Sequence, residues 1–229
     1  MKRIVSILLA FVLSITVLPT AIFAAEGSMD NFRQSQSYTE GQFKDVSSDA
    51  WYAGSVKKAY ELGLVKGSSA TSFSPSGTMT LAEVITLACR LHSIYTMGTA
   101  SFEQTDVWYQ VYVDYALANK IIDAPYTNYT TLATRSEFAK ILSKALPEDA
   151  LYEINRVDDN AIPDVSSTAV NAEAIYLLYR AGILTGSDNY GSFQPNSSIT
   201  RSEVAAIVTR MADRSLRKNI SLTRTFYDG

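Results

Sequence analysis

The chain is poor in the residues that staple, ligate or catalyse. Among its 229 residues there is one cysteine, Cys89, and one histidine, His92. A single cysteine excludes an internal disulfide framework, and its place in an apolar helical run reads as a small buried thiol. A lone histidine without a second His or Cys beside it argues against a histidine-rich metal centre and against a Ser-His-Asp triad. Neither a metal nor any other cofactor is expected. Basic residues are in deficit, 20 against 23 acidic, and no basic stripe is present, which argues against nucleic acid as a partner. Long hydrophobic runs are missing beyond the N-terminus. There, the stretch from Ile4 to about Leu18 is roughly 15 residues, short of the ~20 a membrane span requires. Lys2 and Arg3 precede it, and Pro19 and a small-residue exit at Ala24 and Ala25 follow. Residues 1–25 therefore read as a cleaved secretory signal, with an uncleaved anchor as the alternative. Cleavage leaves no membrane segment and takes the net charge from −3 to −5 by removing Lys2 and Arg3. About 205 residues remain, enough for one sizeable core or a few small repeats.

What the chain does have is repetition. Thr80-Leu81-Ala82-Glu83, Thr134-Arg135-Ser136-Glu137 and Thr200-Arg201-Ser202-Glu203 each precede an apolar run. Each has the form of a capping box, in which Thr80, Thr134 or Thr200 and Glu83, Glu137 or Glu203 satisfy orphan donors at a helix start. The segments before the boxes repeat as well. Asp45 to Gly63 and Asp164 to Gly182 are both 18 residues, and Asp45 to Gly67 and Asp164 to Gly186 are both 22. Phe73 and Pro75 stand before the first box as Phe193 and Pro195 stand before the third. The middle copy keeps the aromatic pair Trp108-Tyr109, equivalent to Trp51-Tyr52, but lacks Phe-x-Pro and carries Pro125, Tyr126 and Tyr129 instead. Val170 takes the tryptophan's place in the third copy.

The pattern predicts, after the signal, a flexible Ser/Gln/Gly-rich leader at 26–42 and a first repeat at 43–95. A second repeat follows at 102–146, an acidic link at 147–161, a third repeat at 162–213 and a basic tail at 214–229. Each repeat reads as helix, turn-rich loop and capped helix. Asp49 is the expected N-cap of the first helix. Gly63 and Gly182, with Asn119 in the middle copy, occupy the left-handed helix-ending position. Helix pairs this small must pack on one another. The expected fold is all-α, three helix-loop-helix repeats closed as a pseudo-threefold (pseudo-trimeric) helical module, with an open solenoid as the alternative.

The Asp45-Val46 opening, Trp51-Tyr52, the Gly63 to Gly67 turn, Phe73-x-Pro75 and the Thr-Arg-Ser-Glu boxes resemble S-layer homology repeats, over roughly residues 43 to 212. That resemblance implies a secreted, non-catalytic module that anchors proteins to the Gram-positive cell wall or S-layer surface. The ligand it implies is a secondary cell-wall polysaccharide, often bearing pyruvate-ketal N-acetylmannosamine, gripped by the arginine of the box. Elementary helix physics also marks Arg135 and Arg201, because a cation in the first turn opposes the macrodipole. A guanidinium there suits an anionic guest, with neighbouring backbone N–H groups as further donors. The structural alternative is a solvated arginine or one paired with a local acid of its own box, Glu137 or Glu203. Leu81 replaces the arginine in the first copy, so two competent pockets are expected rather than three.

Other candidates carry two readings each. Asp45 and Asp164 reach sugar hydroxyls or, as is commoner for a turn-opening aspartate, bond backbone. Trp51 and Trp108 stack on a glycan or, as their helix-start position favours, anchor the inter-repeat core. Gly67, Gly186, Ser68 and Ser187 present backbone donors to a ligand or simply form a turn. The Arg210, Arg214, Arg217 and Lys218 cluster touches an anionic polymer or is a solvated helix end. The remaining function classes are a structural or protein-interaction subunit, with another exported or surface-layer protein as partner, and a wall-glycan hydrolase using a carboxylate pair. Three repeats fill the chain after the signal, which argues against a separate catalytic domain.

Overall fold

The computed structural model describes residues 27–223; the expected signal at 1–25 and the end of the expected tail lie outside the described residues. The described chain is mainly helical. It has α1 (Ala53–Glu61), α2 (Leu81–Met97), α3 (Gln110–Ala118), α4 (Arg135–Ser143), α5 (Ala172–Arg180) and α6 (Arg201–Ala212). Two strands interrupt the all-helical expectation: β1 (Arg156–Val157) and β2 (Ser221–Leu222) pair in parallel. No helix among the described residues is long and apolar enough to cross a membrane.

The three boxes all form. In each, the threonine hydroxyl accepts from the glutamate N–H while the glutamate carboxylate accepts from the threonine N–H. That satisfies two of the donors a helix start leaves open. The next two are satisfied by a different copy of the repeat. Leu81 and Ala82 donate to the carbonyls of Thr131 and Tyr129, Arg135 and Ser136 to those of Ser197 and Pro195, and Arg201 and Ser202 to those of Gly77 and Pro75, all at 2.8–3.0 Å. Short antiparallel bridges join Thr80 to Leu132, Thr134 to Ser198 and Thr200 to Thr78. The helices pair across copies in the same sense: α2 packs on α3, α4 on α5, and α6 on α1. Among the described residues the first α-helix, α1, thus lies against the last, α6.

The short helices α1, α3 and α5 end alike. Gly63 donates to Tyr60 and Leu64 to Ala59; Gly182 donates to Tyr179 and Ile183 to Leu178. These are the paired bonds of a left-handed cap, and both glycines have φ +70°. In the middle copy the left-handed residue is Lys120, φ 57°, rather than the expected Asn119. Asn119 stays at φ −98° and turns its side-chain amide back onto the Tyr115 carbonyl, 2.9 Å away. The expected N-cap Asp49 is also displaced: α1 begins after Tyr52 without a side-chain cap, and Asp49 accepts from Ser47 instead.

Residues 27–42 are not a loose leader. Ser28 donates to the Tyr95 carbonyl, and Ser35 and Gln36 both donate to that of Glu61. Ile154 and Asn155 repeat that pair on Arg180, and each segment opens with a 3-10 turn, Met29–Asn31 and Glu148–Leu151. The leader and the 147–161 link are two copies of one structural element, so the repeated unit starts well before its helices. The expected basic tail is likewise folded back. Arg217 is buried, its guanidinium donating to the Ala150 carbonyl and lying over Tyr152, while Lys218 donates to the Gly182 carbonyl.

Cys89 is fully buried and donates to the Tyr112 carbonyl; burial pushes its thiol up to about 12, so it is inert packing. His92 shares a 2.8 Å hydrogen bond with the Tyr115 hydroxyl, and burial holds its imidazole below its ordinary range.

Asp45 and Asp164 pin the loops. Asp45 accepts from the N–H groups of Phe73 and Ser74 and from the Ser72 hydroxyl; Asp164 accepts from Phe193 and Gln194. Burial raises the Asp45 pKa, but those hydrogen bonds outweigh it and hold the carboxyl below the usual aspartate range. A depressed folded pKa gives stability that is present above the unfolded value of about 4 and is lost as pH falls through the folded value. Asp45→Asn should therefore lower neutral-pH stability by no more than about 1 kcal/mol, since the residue is largely exposed. The deficit should shrink on acidification below about pH 4 in urea melts; a deficit that grows there would contradict the pin. Leu81, 4% exposed, is a core residue at its helix start. Truncation to alanine should cost about 2–5 kcal/mol in denaturant melts, and a cost below ~1 kcal/mol would show that the neighbouring loop collapses onto the gap.

Candidate functional site

The cross-copy pairing decides what stands next to each arginine. Arg201, from the third unit, reaches the loop of the first: its Nε donates to the Phe73 carbonyl at 2.8 Å and an Nη to that of Lys66 at 2.6 Å. Its guanidinium lies 4.8 Å over the Phe73 ring. Arg135, from the second unit, reaches the loop of the third in the same way, with Nε on the Phe193 carbonyl at 2.6 Å and the guanidinium 5.2 Å over the Phe193 ring. It also forms an ion pair with Glu203. By the same progression Leu81 faces the loop of the middle unit, the one without Phe-x-Pro. The missing arginine and the missing phenylalanine are one altered interface, and both box arginines clasp units together whatever else they do.

Two grooves result. The first, about 530 Å³, is lined by Lys66, Gly67, Phe73, Glu83 and Arg90 of the first unit, Trp108 of the second and Arg201 of the third, with apolar residues beneath. The other, about 290 Å³, is lined by Gly186, Ser187, Glu203 and Arg210 of the third unit, Trp51 of the first and Arg135 of the second. The pattern is the same in both: a unit's own loop and capped helix, the next unit's tryptophan and the preceding unit's arginine. A groove built this way on the middle unit receives Val170 and Leu81 in place of tryptophan and arginine.

Trp51 and Trp108 are therefore not core anchors. They are 67% and 47% exposed, each edge-on to the following tyrosine at 5.4–5.5 Å, and each lines a groove. Gly67 and Gly186 are fixed by close approach. A Cβ on Gly67 would lie 2.3 Å from the Ser69 carbonyl oxygen, and one on Gly186, φ +88°, would lie 2.5 Å from Gly191. Ser187 lines its groove but commits its own N–H to the Ser192 carbonyl at 2.7 Å. Asp45 and Asp164 hold the loops from behind and line neither groove.

One expected element is overturned. The backbone N–H groups beside the arginines are not free to receive an anion, because the cap and the neighbouring loop take those of the box threonine and of the three residues after it. The charged donors left at the grooves are side chains. The arginines that complete the two grooves, Arg90 and Arg210, stand seven residues after the box glutamates Glu83 and Glu203, two helical turns along the same face. The sequence reading does not single out that shared spacing, although it is legible there; Lys144 holds the same place in the middle unit. Arg90 and Arg210 each anchor on the loop, donating to the carbonyls of Gly63 and Ile183 respectively. Of the cluster expected at the chain end, only Arg210 lines one of the two grooves; Arg214 and Arg217 stack on Tyr152. Among the described residues no group of three His, Cys, Asp or Glu side chains is placed to hold a metal.

The comparisons with known proteins fall on the same segments. The family model of the S-layer homology domain matches residues 42–85 and 161–205, the first and third units. A surface-layer 125 kDa protein of Lysinibacillus sphaericus is 29% identical over 128 residues, covering 51% of this chain and 11% of that protein. An amylopullulanase of Thermoanaerobacterium thermosulfurigenes is 28% identical over 185 residues, 76% of this chain and 10% of the enzyme. The chain spans about a tenth of the length of these curated relatives. Over its first and third helix-loop-helix units, then, the chain is similar to the S-layer homology domain.

Proposed function

We propose that this chain is a secreted cell-surface anchoring module without catalysis. Its three units form a pseudo-threefold body that holds an anionic secondary polysaccharide of a Gram-positive wall, pyruvylated in our reading. The observation that carries the proposal is the pairing, in two grooves of one design, of an exposed indole with a guanidinium clasped at its base. An indole face suits the apolar face of a sugar ring. A guanidinium fork beside it suits a carboxylate on that ring, and carbonyls hold it in place beforehand so that little ordering remains at binding. The carboxylates in the grooves, Glu83 and Glu203, already accept two hydrogen bonds each from their caps. A glutamate so engaged is poorly suited to the proton transfers of glycan hydrolysis. The match to two segments of the S-layer homology domain, and to a surface-layer protein, supports a cell-surface setting.

The test is co-sedimentation with purified wall sacculi before and after chemical removal of the secondary polymer. The protein should pellet with intact walls and stay soluble with stripped ones; equal pelleting would replace the polymer by peptidoglycan or a protein partner. Trp51→Ala combined with Trp108→Ala removes two exposed rings and should leave the helical spectrum intact. Wall affinity should fall at least about tenfold, or ~1.4 kcal/mol.

A further inference from the structure

We propose that the two grooves are not equivalent binding sites. The first, with Arg201, is the seat of the ligand's carboxylate, while in the other the box arginine, Arg135, is already taken by Glu203. This rests on the anchoring function proposed above and assigns its charge recognition to one groove. The argument is a comparison of equivalent residues. Each groove brings a box arginine from one unit toward a box glutamate of another, Arg201 toward Glu83 and Arg135 toward Glu203. In the smaller groove the two meet, and Arg135, 5% exposed, is neutralised on the spot. In the larger groove they do not: among the described residues no carboxylate lies within ion-pair distance of Arg201, and only neutral carbonyls hold it.

The surrounding charge points the same way. Lys66, Arg90 and Arg201 line the larger groove against Glu83 alone; Arg135 and Arg210 line the smaller against Glu203. A part-buried cation without a counter-ion is costly until one arrives. Burial pushes the Arg201 pKa down, with Glu83 and Asp45 opposing at a distance. Arg210 in the smaller groove is pushed down by burial as well, so the two grooves differ by the ion pair on the box arginine and not by these shifts. A ligand carboxylate entering the larger groove displaces no protein acid and finds a site of about 530 Å³. In the smaller groove, about 290 Å³, it must first displace Glu203. Glu203 cannot swing away freely, because its other oxygen accepts from the Thr200 N–H and hydroxyl in the cap.

The two tryptophans of the chain, one per groove, make the test direct. The probe is methyl N-acetylmannosaminide carrying a 4,6-pyruvate ketal, with the neutral parent sugar as control. Each is titrated into the protein by calorimetry and by NMR of the indole N–H signals. The wild type should bind one equivalent of the pyruvylated sugar and shift the Trp108 signal alone. Arg201→Gln should weaken that binding at least tenfold and abolish its preference over the neutral parent. Glu203→Gln keeps an oxygen for the cap while releasing Arg135, and should add a second equivalent reported by Trp51. Two equal equivalents in the wild type, or no second equivalent in Glu203→Gln, overturns the division while leaving the anchor intact. Wall binding without sugar binding overturns the carboxylate assignment, and failure to bind either sugar or sacculi removes the anchoring function as well.

Discussion

Everything in this protein is built on how three helix starts satisfy their backbone donors. A helix begins with four N–H groups that its own turns do not bond. Here the box and the loop of another unit divide the supply of partners between them. The consequence is that a unit's capped helix is complete only when its neighbour is folded against it. The same contacts place α2 on α3, α4 on α5 and α6 on α1. Hydrophobic burial along those pairs provides the bulk of the driving force, but the hydrogen bonds at the caps select which units pair and in what register.

That register also makes the grooves. Because each loop is held to the preceding unit's cap, that unit's first helical residue projects toward the loop. In two of the three interfaces this residue is an arginine and finds a phenylalanine ring and carbonyls, so its cation is clasped despite sitting at the unfavourable end of a helix dipole. The next unit delivers its tryptophan to the opposite wall. No single repeat contains a groove; each is lined by residues of all three units. The similarity to the S-layer homology domain over the first and third units fits this geometry, since those are the units with the Phe-x-Pro loops on which the arginines rest.

Much of the scaffold is legible in the sequence because it depends on local rules. The three boxes and the glycines at 63 and 182 are short-range signals with a stereochemical cause, and all form. Which unit touches which is not a local matter and has no such signal. Sequence alone offers Arg135 its local acid Glu137, and only the packing of the second unit on the third brings Glu203 to it. Trp51 and Trp108 look like core because helix-start aromatics usually pack, yet here the neighbouring unit's groove receives them. Asn119 falls one residue short of the left-handed position: Trp108 to Lys120 is 12 residues, as is Trp51 to Gly63, so Lys120 is the equivalent of that glycine. The leader's likeness to the 147–161 link lies in backbone bonds onto Glu61 and Arg180 and in one side-chain amide each, Gln36 on the Tyr60 carbonyl and Asn155 on that of Tyr179. Different residue types supply these bonds, and a sequence comparison does not align them.

Amide hydrogen exchange at the helix starts tests the central claim most directly. The N–H groups of the first two residues of a helix ordinarily face water and exchange fast. Here those of Leu81, Ala82, Arg135, Ser136, Arg201 and Ser202 are bonded across units, so they should exchange only through global unfolding, with the protection of the helix centres. Rapid exchange at these six amides, in a protein whose helix centres remain protected, would contradict the claim and show that the units are not joined through their caps.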